Sequence, residues 1–146
     1  MRDTLSPKER SLRMSLVRGK DTQPELVLRK ALHCKGYRYR LHVRALPGTP
    51  DLVFSSRGRV LFVHGCFWHR HAGCKLARLP KSRISFWKRK LEGNRARDKQ
   101  NQKRLNRIGW RYMTVWECQL SDLSRVLDRV TQFLGKPREK RRKEKQ

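Results

Sequence analysis

Apolar and polar residues alternate along the chain with two periods, one typical of helices and one typical of strands. The first helical stretch begins with Thr22 as N-cap, Pro24 in its first turn and Glu25 three residues after the cap. Gly36 is expected to end this helix, and Cys34 is expected to lie at a core position inside it.

Three runs with strand-like composition follow, at residues 37–43, 51–54 and 59–63. The last two flank a turn at residues 55–58 and predict a hairpin in which Phe54 pairs with Arg59. That register places Asp51 opposite Phe62 and one diagonal step from His64. The hairpin therefore brings a carboxylate and an imidazole to one end of a sheet.

A long basic helix is predicted in the second half of the chain, from Phe86 to about Ile108. Ser82 or Ser85 is its expected cap, and its apolar stripe is narrow, with Leu91, Leu105 and Ile108 as members. We expect one thin buried edge and a wide basic face.

A strand at residues 110–116 and an amphipathic helix capped by Ser121 complete the pattern. This order of elements predicts an α/β protein with a small mixed sheet flanked by helices. We expect a basic arm at residues 1–20, one domain at 21–135 and a basic, disordered tail at 136–146.

The charge of the chain indicates its partner. Lys and Arg number 38 against 12 Asp and Glu in 146 residues, a formal net charge of +26. Such a balance favours a polyanion, most simply nucleic acid. Because no segment has the pattern of a membrane span or signal peptide, we expect an intracellular protein whose cysteines are reduced and favour metal over disulfides.

The loop at residues 64–74 concentrates most of the chemistry in the chain. Cys66, His71 and Cys74, joined by Cys118 after the last strand, form a donor set of the kind that closes a tetrahedral structural zinc site. Two alternatives stay open: ordinary buried thiols with one surface histidine, and a catalytic zinc site made by three histidines, His64, His69 and His71.

With His71 assigned to zinc, His64 and His69 remain as the candidate catalytic pair, since imidazole titrates near neutrality. Asp51 is either a turn residue after Pro50 or, with the backbone carbonyl of Val63, an oxygen site for Mg2+. Glu25 is explained by helix capping, with catalysis as the alternative.

Two aromatic pairs lie beside these candidates, Phe67 with Trp68 and Phe86 with Trp87. Phe67 and Trp68 fall in a loop between histidines, where either they cover the metal site or they form an apolar wedge that enters stacked DNA bases. The second pair is either a packing cap or a second wedge.

Residues 10–134 resemble the bacterial very short patch repair (Vsr) endonucleases. The resemblance rests on KDTQPE at 20–25, LPGTPD at 46–51, FVHGCFWH at 62–69, FW at 86–87 and VWEC at 115–118. It implies a restriction-endonuclease-like fold. It also implies recognition of a T·G mismatch left by deamination of 5-methylcytosine, and a nick on the 5′ side of the mismatched thymine.

The resemblance also implies roles for single residues. Asp51 would bind Mg2+ with the backbone carbonyl of Val63, Glu25 and His64 would hold metal-bound waters or the phosphate, and His69 would help to activate the attacking water. A structural zinc would be held by Cys66, His71, Cys74 and Cys118, and the wedge would comprise Phe67, Trp68 and Trp87.

The resemblance further implies a monomer in the bacterial cytoplasm, associated with the nucleoid, with mismatch-repair proteins and a cytosine-5 methyltransferase as partners. Two departures stand out in the sequence. Val63 replaces the Thr of some members, and the strand ending at His64 lacks the second acidic residue and the lysine usual in restriction enzymes. Histidines are therefore expected to do part of their work.

Overall fold

The computed structural model describes residues 21–137. Within these residues, three α-helices and four strands follow each other in the order α1 (Gln23–Cys34), β1 (Arg40–Leu41), β2 (Leu52–Phe54), β3 (Arg59–His64), α2 (Ile84–Arg107), β4 (Arg111–Trp116) and α3 (Leu123–Leu134). The predicted basic arm and nearly all of the predicted tail lie outside the described residues.

The four strands form one mixed sheet in the order β1-β2-β3-β4. β2 and β3 are antiparallel with Phe54 opposite Arg59, which confirms the predicted hairpin register. β3 and β4 are parallel, and His64 lies opposite Trp116 at their ends. The predicted α/β class with a small mixed sheet is confirmed.

Strand alternation gives the sheet two apolar faces. Leu61 and Val63 pack with α1 and α3, whereas Val60 and Phe62 pack with Leu105 of α2. Because side chains alternate along a strand, His64 lies on the same face as Val60 and Phe62, the α2 face. The sheet thus separates a larger core from the face on which His64 lies.

The first helix begins as predicted, since the Thr22 hydroxyl accepts a hydrogen bond from the Glu25 backbone N–H at 3.4 Å. Gly36 follows the helix with a φ of 101°, which suits glycine. Cys34, however, is the last residue of α1 and is exposed, so its predicted core position was wrong.

The other errors lie at the ends of elements. The predicted strand 37–43 is reduced to Arg40–Leu41, because His42 has a left-handed φ of 48° and leaves the extended conformation. α2 starts at Ile84 behind Arg83 rather than behind a serine. The side chain of Asp122, not that of Ser121, caps α3 by accepting from the Arg125 N–H.

One apolar assignment was also wrong. Leu91 and Leu105 are fully buried on α2, but Ile108 is 56% exposed. It lies after the last helical residue, where Gly109 turns the chain toward β4. None of the helices within residues 21–137 is long and apolar enough to cross a membrane.

Candidate active site and metal centre

An acidic corner forms where α1 meets the start of β2. Asp51 accepts a hydrogen bond from the Val63 backbone N–H at 2.7 Å, which ties its carboxylate to the neighbouring strand. Glu25 is only 1% exposed. One of its carboxylate oxygens accepts a hydrogen bond from Arg29 Nη1 at 2.9 Å, and the other lies 2.8 Å from His42 Nε2. The residue directly after β1 thus supplies an imidazole to the acids.

Burial changes the protonation of this corner. It raises the pKa of Asp51 to about 8, the carboxylate of Glu25 adds to the increase, and the hydrogen bond from Val63 opposes it. A half-buried carboxyl beside a second carboxyl is costly to ionise without a cation. The corner therefore fits a divalent cation, which would replace the proton of Asp51.

A pair of stacked imidazoles stands beside the acids. The rings of His64 and His69 are 3.7 Å apart and nearly parallel, and His69 Nδ1 lies 2.6 Å from an oxygen of Asp98 on α2. Burial and, less strongly, the charge of His69 lower the pKa of His64 to about 3. His64 is therefore neutral at physiological pH, while His69 has a carboxylate that orients its ring.

Asp51 and the imidazole pair open into one cleft of about 420 Å³, whereas the buried Glu25 is not among the residues that line it. Asp51, Val63, His64 and His69 line it, together with His42 and Asp98. Asn101 and Gln102 of α2 and Arg44 complete its polar wall. Four of the residues singled out in the sequence thus share a single concave surface.

The predicted thiol and imidazole set is also brought together. The ligand atoms of Cys66, His71, Cys74 and Cys118 all lie within 4.8 Å of one another. A tetrahedral zinc, with Zn–S of about 2.3 Å and Zn–N of about 2.0 Å, needs ligand separations of roughly 3.5–3.8 Å. Cys118 Sγ is 3.5 Å from His71 Nδ1, so the donor set fits zinc in both chemistry and size.

The electrostatics of the thiols agree with this fit. Burial raises the pKa of Cys66 to about 12. Burial also opposes ionisation of Cys74, but hydrogen bonds from the Leu76 and Ala77 backbone and from the Cys66 and Cys118 thiols lower its pKa. Three crowded sulfurs cannot all ionise without a compensating charge, which a thiophilic cation provides.

Trp116 lies at the junction of the two regions. Its ring stacks on His71 at 4.1 Å and meets His64 edge-on at 5.3 Å. His71 belongs with the three thiols, and His64 belongs with His69, so the alternative site of three histidines is not formed.

Next to the cleft, aromatic rings form a compact cluster. Phe67 contacts Trp68 and Trp87, with ring centres 5.2 and 5.5 Å apart, and Lys90 Nζ lies about 6 Å from the Trp68 and Trp87 rings. Trp87 is buried and Phe86 is exposed, so only half of that pair is a packing residue. Asn94 of α2 donates to the Trp68 carbonyl at 3.2 Å and holds the loop against the helix.

Comparison with known proteins shows the family to which the chain belongs. Residues 2–75 match the family model described as DNA mismatch endonuclease Vsr. The chain is 53% identical over 134 residues to the type II nicking enzyme V.XorIIP of Xanthomonas oryzae, covering 92% of this chain and 98% of that protein. The chain belongs to the Vsr family of DNA mismatch endonucleases.

Two further relatives cover most of the same length. DNA mismatch endonuclease Vsr of Escherichia coli K12 is 38% identical over 128 residues, 88% of this chain and 81% of its own. The type II nicking enzyme V.NmeAIP of Neisseria meningitidis is 37% identical over 134 residues, 92% and 95% of the two chains. This Vsr-family chain is accordingly an endonuclease that acts on DNA, which agrees with the nucleic-acid partner that its charge predicted.

The structure of this Vsr-family protein adds three polar residues that the sequence alone did not single out: Asp98, His42 and Arg29. Asp98 is one of two acidic residues in the basic helix α2, a signal that could have been noticed. His42 and Arg29 carry no such signal, because their roles depend on how α1 and β1 meet.

Proposed function

We propose that this Vsr-family endonuclease cuts one strand of duplex DNA on the 5′ side of the mismatched thymine in T·G pairs, with Mg2+ as cofactor. One arrangement supports the proposal above all: Asp51, His64 and His69 line a single cleft, and the aromatic residues Phe67 and Trp68 directly precede His69 in the chain. T·G mismatches arise when 5-methylcytosine loses its amino group, so the activity would start very short patch repair.

The proposed Mg2+ ligands are the Asp51 carboxylate and the backbone carbonyl of Val63, with Glu25 behind them. Bound there, Mg2+ would polarise the scissile phosphate and stabilise the negative charge on the leaving oxygen. Asp51 contributes an anchored carboxylate, because the Val63 N–H fixes one of its oxygens. Glu25 contributes a second negative charge in a place from which water is excluded.

His69 is the proposed general base for the attacking water. Its Nδ1–H donates to Asp98, which leaves Nε2 with its lone pair and fixes the plane of the ring. His64 stacks on His69 and stays neutral, so it orients its neighbour and offers hydrogen bonds without competing for the proton. Asp98 stabilises the imidazolium that forms once His69 has taken the proton.

Phe67 and Trp68, with the buried Trp87 packed behind them, are the proposed wedge beside the mismatch. Entry of apolar rings between base pairs costs a few kcal/mol of stacking, and a wobble pair is less costly to deform than a matched pair. Lys90, beside these rings, would meet the DNA backbone at the same place. Discrimination would then arise at the step of DNA deformation, before chemistry.

Zinc is the proposed occupant of the site formed by Cys66, His71, Cys74 and Cys118. All four ligands come from the protein, which is typical of structural rather than catalytic zinc. The site would hold in shape the loop that carries His69 and two of the wedge residues. A monomeric state, association with the nucleoid, a cytosine-5 methyltransferase and mismatch-repair partners remain predictions from the family resemblance.

The test is strand-resolved cleavage of a labelled duplex with one T·G mismatch, beside its C·G counterpart, with Mg2+ or with EDTA. We expect one nick, in the thymine strand, 5′ of the mismatch, only with Mg2+. Asp51→Asn should reduce the nicking rate at least about a thousandfold, since it removes the main metal ligand, and should leave mismatch binding intact.

The matched control is Asp128→Asn, an exposed acid on α3, which should cut like the wild type. Equal cutting of the T·G and C·G duplexes would disprove the mismatch specificity. Full activity in EDTA, or in Asp51→Asn, would disprove the assigned metal site.

A further inference from the structure

His42 occupies an unusual backbone position beside the acidic corner. It follows the two residues of β1 with a left-handed φ of 48°, a conformation that is strained for a residue with a side chain. Its backbone N–H donates to the carbonyl of Asp51 at 3.2 Å. The main chains of these two residues are therefore held together, and the His42 ring is directed by this turn.

The ring reaches both acids of the corner. His42 Nε2 lies 2.8 Å from Glu25 Oε1 and 3.9 Å from Asp51 Oδ1. The other Glu25 oxygen is held by Arg29, whose guanidinium also bonds Asp21 at 2.7 Å. Each oxygen of Glu25 thus has its own partner, and His42 is the partner on the side of Asp51 and the cleft.

A metal-ligand role for His42 is the alternative, because ligand atoms of Asp21, Glu25 and His42 lie within 4.8 Å of one another. Arg29 rules it out for this group. Its Nη1 bonds to carboxylate oxygens of both Asp21 and Glu25, so a cation already occupies the position that a metal would need. What His42 supplies to Glu25 is an N–H donor.

We propose that His42 is a positioning residue that holds the Glu25 carboxylate toward Asp51, so that the two acids present a fixed geometry to the divalent cation of the nicking reaction. This inference rests on the proposed function for the identity of that reaction. A ligand carboxylate is held in place by its own hydrogen-bond partners, and their loss commonly lowers metal affinity about 10–100-fold.

Three substitutions of His42 separate the loss of the hydrogen-bond donor from a change in backbone strain. His42→Gln keeps an N–H donor at nearly the distance of Nε2, whereas His42→Asn is polar and tolerates a left-handed φ but is too short to reach Glu25. His42→Gly removes the donor and also relieves the backbone strain. His33→Asn, at an exposed position on α1, is the matched control.

The first measurement is binding of Mn2+, as a paramagnetic substitute for Mg2+, to the DNA-free protein by electron paramagnetic resonance. We expect His42→Asn and His42→Gly to weaken binding at least about tenfold, with His42→Gln within about threefold of the wild type. In nicking assays the two short variants should need about tenfold more Mg2+ for half-maximal rate, with an unchanged KM for DNA. Thermal unfolding identifies any variant that fails to fold.

Wild-type Mn2+ affinity in folded His42→Gly would overturn the inference, and so would equal losses in the Gln and Asn variants, since only the former can donate to Glu25. Absence of Mn2+ binding by the wild type would overturn it as well. Normal Mn2+ binding without any nick at T·G would instead overturn the proposed function, while the ranking of the four variants in binding would still decide the role of His42.

Discussion

Two regions at the ends of β3 and β4 have opposite designs. The sulfur region, formed by Cys66, His71, Cys74 and Cys118, brings four candidate metal ligands within 4.8 Å of one another, and Cys66 is buried. The cleft region contains the anchored carboxylate of Asp51, with Glu25 behind it, and the oriented imidazole of His69. The cleft has a volume of about 420 Å³ and is open to solvent. The sulfur region can supply all four ligands of a tetrahedral metal, whereas the cleft region leaves room for a phosphate and a water molecule.

The difference teaches how one loop serves both regions. His64 and His69 lie on either side of Cys66, and His71 follows two residues later, so ligands and catalytic candidates alternate along the same few residues. Closing the sulfur region would fix the backbone from which His69 reaches the cleft. Stability and catalysis should therefore respond differently to substitutions only a few ångströms apart.

The largest expected effect is in the sulfur region. Cys118→Ser should lower the free energy of unfolding by about 4 kcal/mol, because metal binding to a preformed set of ligands contributes directly to folding. Chemical denaturation together with zinc content after dialysis would measure it. Cys34→Ser, at the exposed end of α1, should have no effect. Equal stability of the two variants would show that the thiols only pack.

A smaller effect, on rate alone, is expected in the cleft. Asp98→Asn should slow nicking about a hundredfold, since an amide favours the wrong tautomer of His69 and does not stabilise its cation. Zinc content and unfolding should match the wild type. Glu92→Gln, the other acid of α2, is the control and should nick normally. A loss of zinc in Asp98→Asn would mean that the two regions are not separable.

The smallest effect concerns pH. Because the pKa of Asp51 is raised to about 8 in the folded, metal-free protein, the folded state binds a proton that the unfolded state releases near pH 4. The contribution of Asp51 to stability is therefore lost as pH rises toward 8, with a slope of at most about 1.4 kcal/mol per pH unit.

Asp51→Asn removes this contribution, so the difference in unfolding free energy between wild type and variant should fall as pH rises from about 4 to 8. The two proteins must be compared because His64, with its pKa lowered to about 3, makes the folded state more stable as pH rises from about 3 toward the usual pKa of histidine. This contribution is common to both proteins and cancels in the difference. Saturating Mg2+ should reverse the trend at high pH. A pH-independent difference would show that Asp51 is ionised without metal.

Local patterns predicted much of this fold. The Thr22 cap and the hairpin register depend on residues that are close in sequence, and both predictions were confirmed. The grouping of three cysteines with His71 was also predictable, since few residue types offer soft donors. Ile108 and Cys34 were wrong because burial at a helix end depends on where the next element turns.

The remainder of the site depends on contacts between distant segments. Asp98 and His69 are 29 positions apart, and no periodicity relates them. His42 is 17 positions from Glu25, and its left-handed φ ends the strand that its composition predicted. Such partners are set by how α1 and α2 pack on opposite faces of the sheet, which a single sequence does not express.

The long helix α2 also fixes the distance between two of the residues described above. Trp87 in the aromatic cluster and Asp98 beside His69 both belong to α2 and lie eleven residues apart. Eleven residues make about three turns and about 16 Å, so both side chains project from nearly the same side. The helix thus acts as a ruler between the point where a base pair would be probed and the point where the strand would be cut. Inserting one residue between Trp87 and Asp98 would rotate one relative to the other by about 100° about the helix axis. The contacts of each residue could then no longer form at the same time.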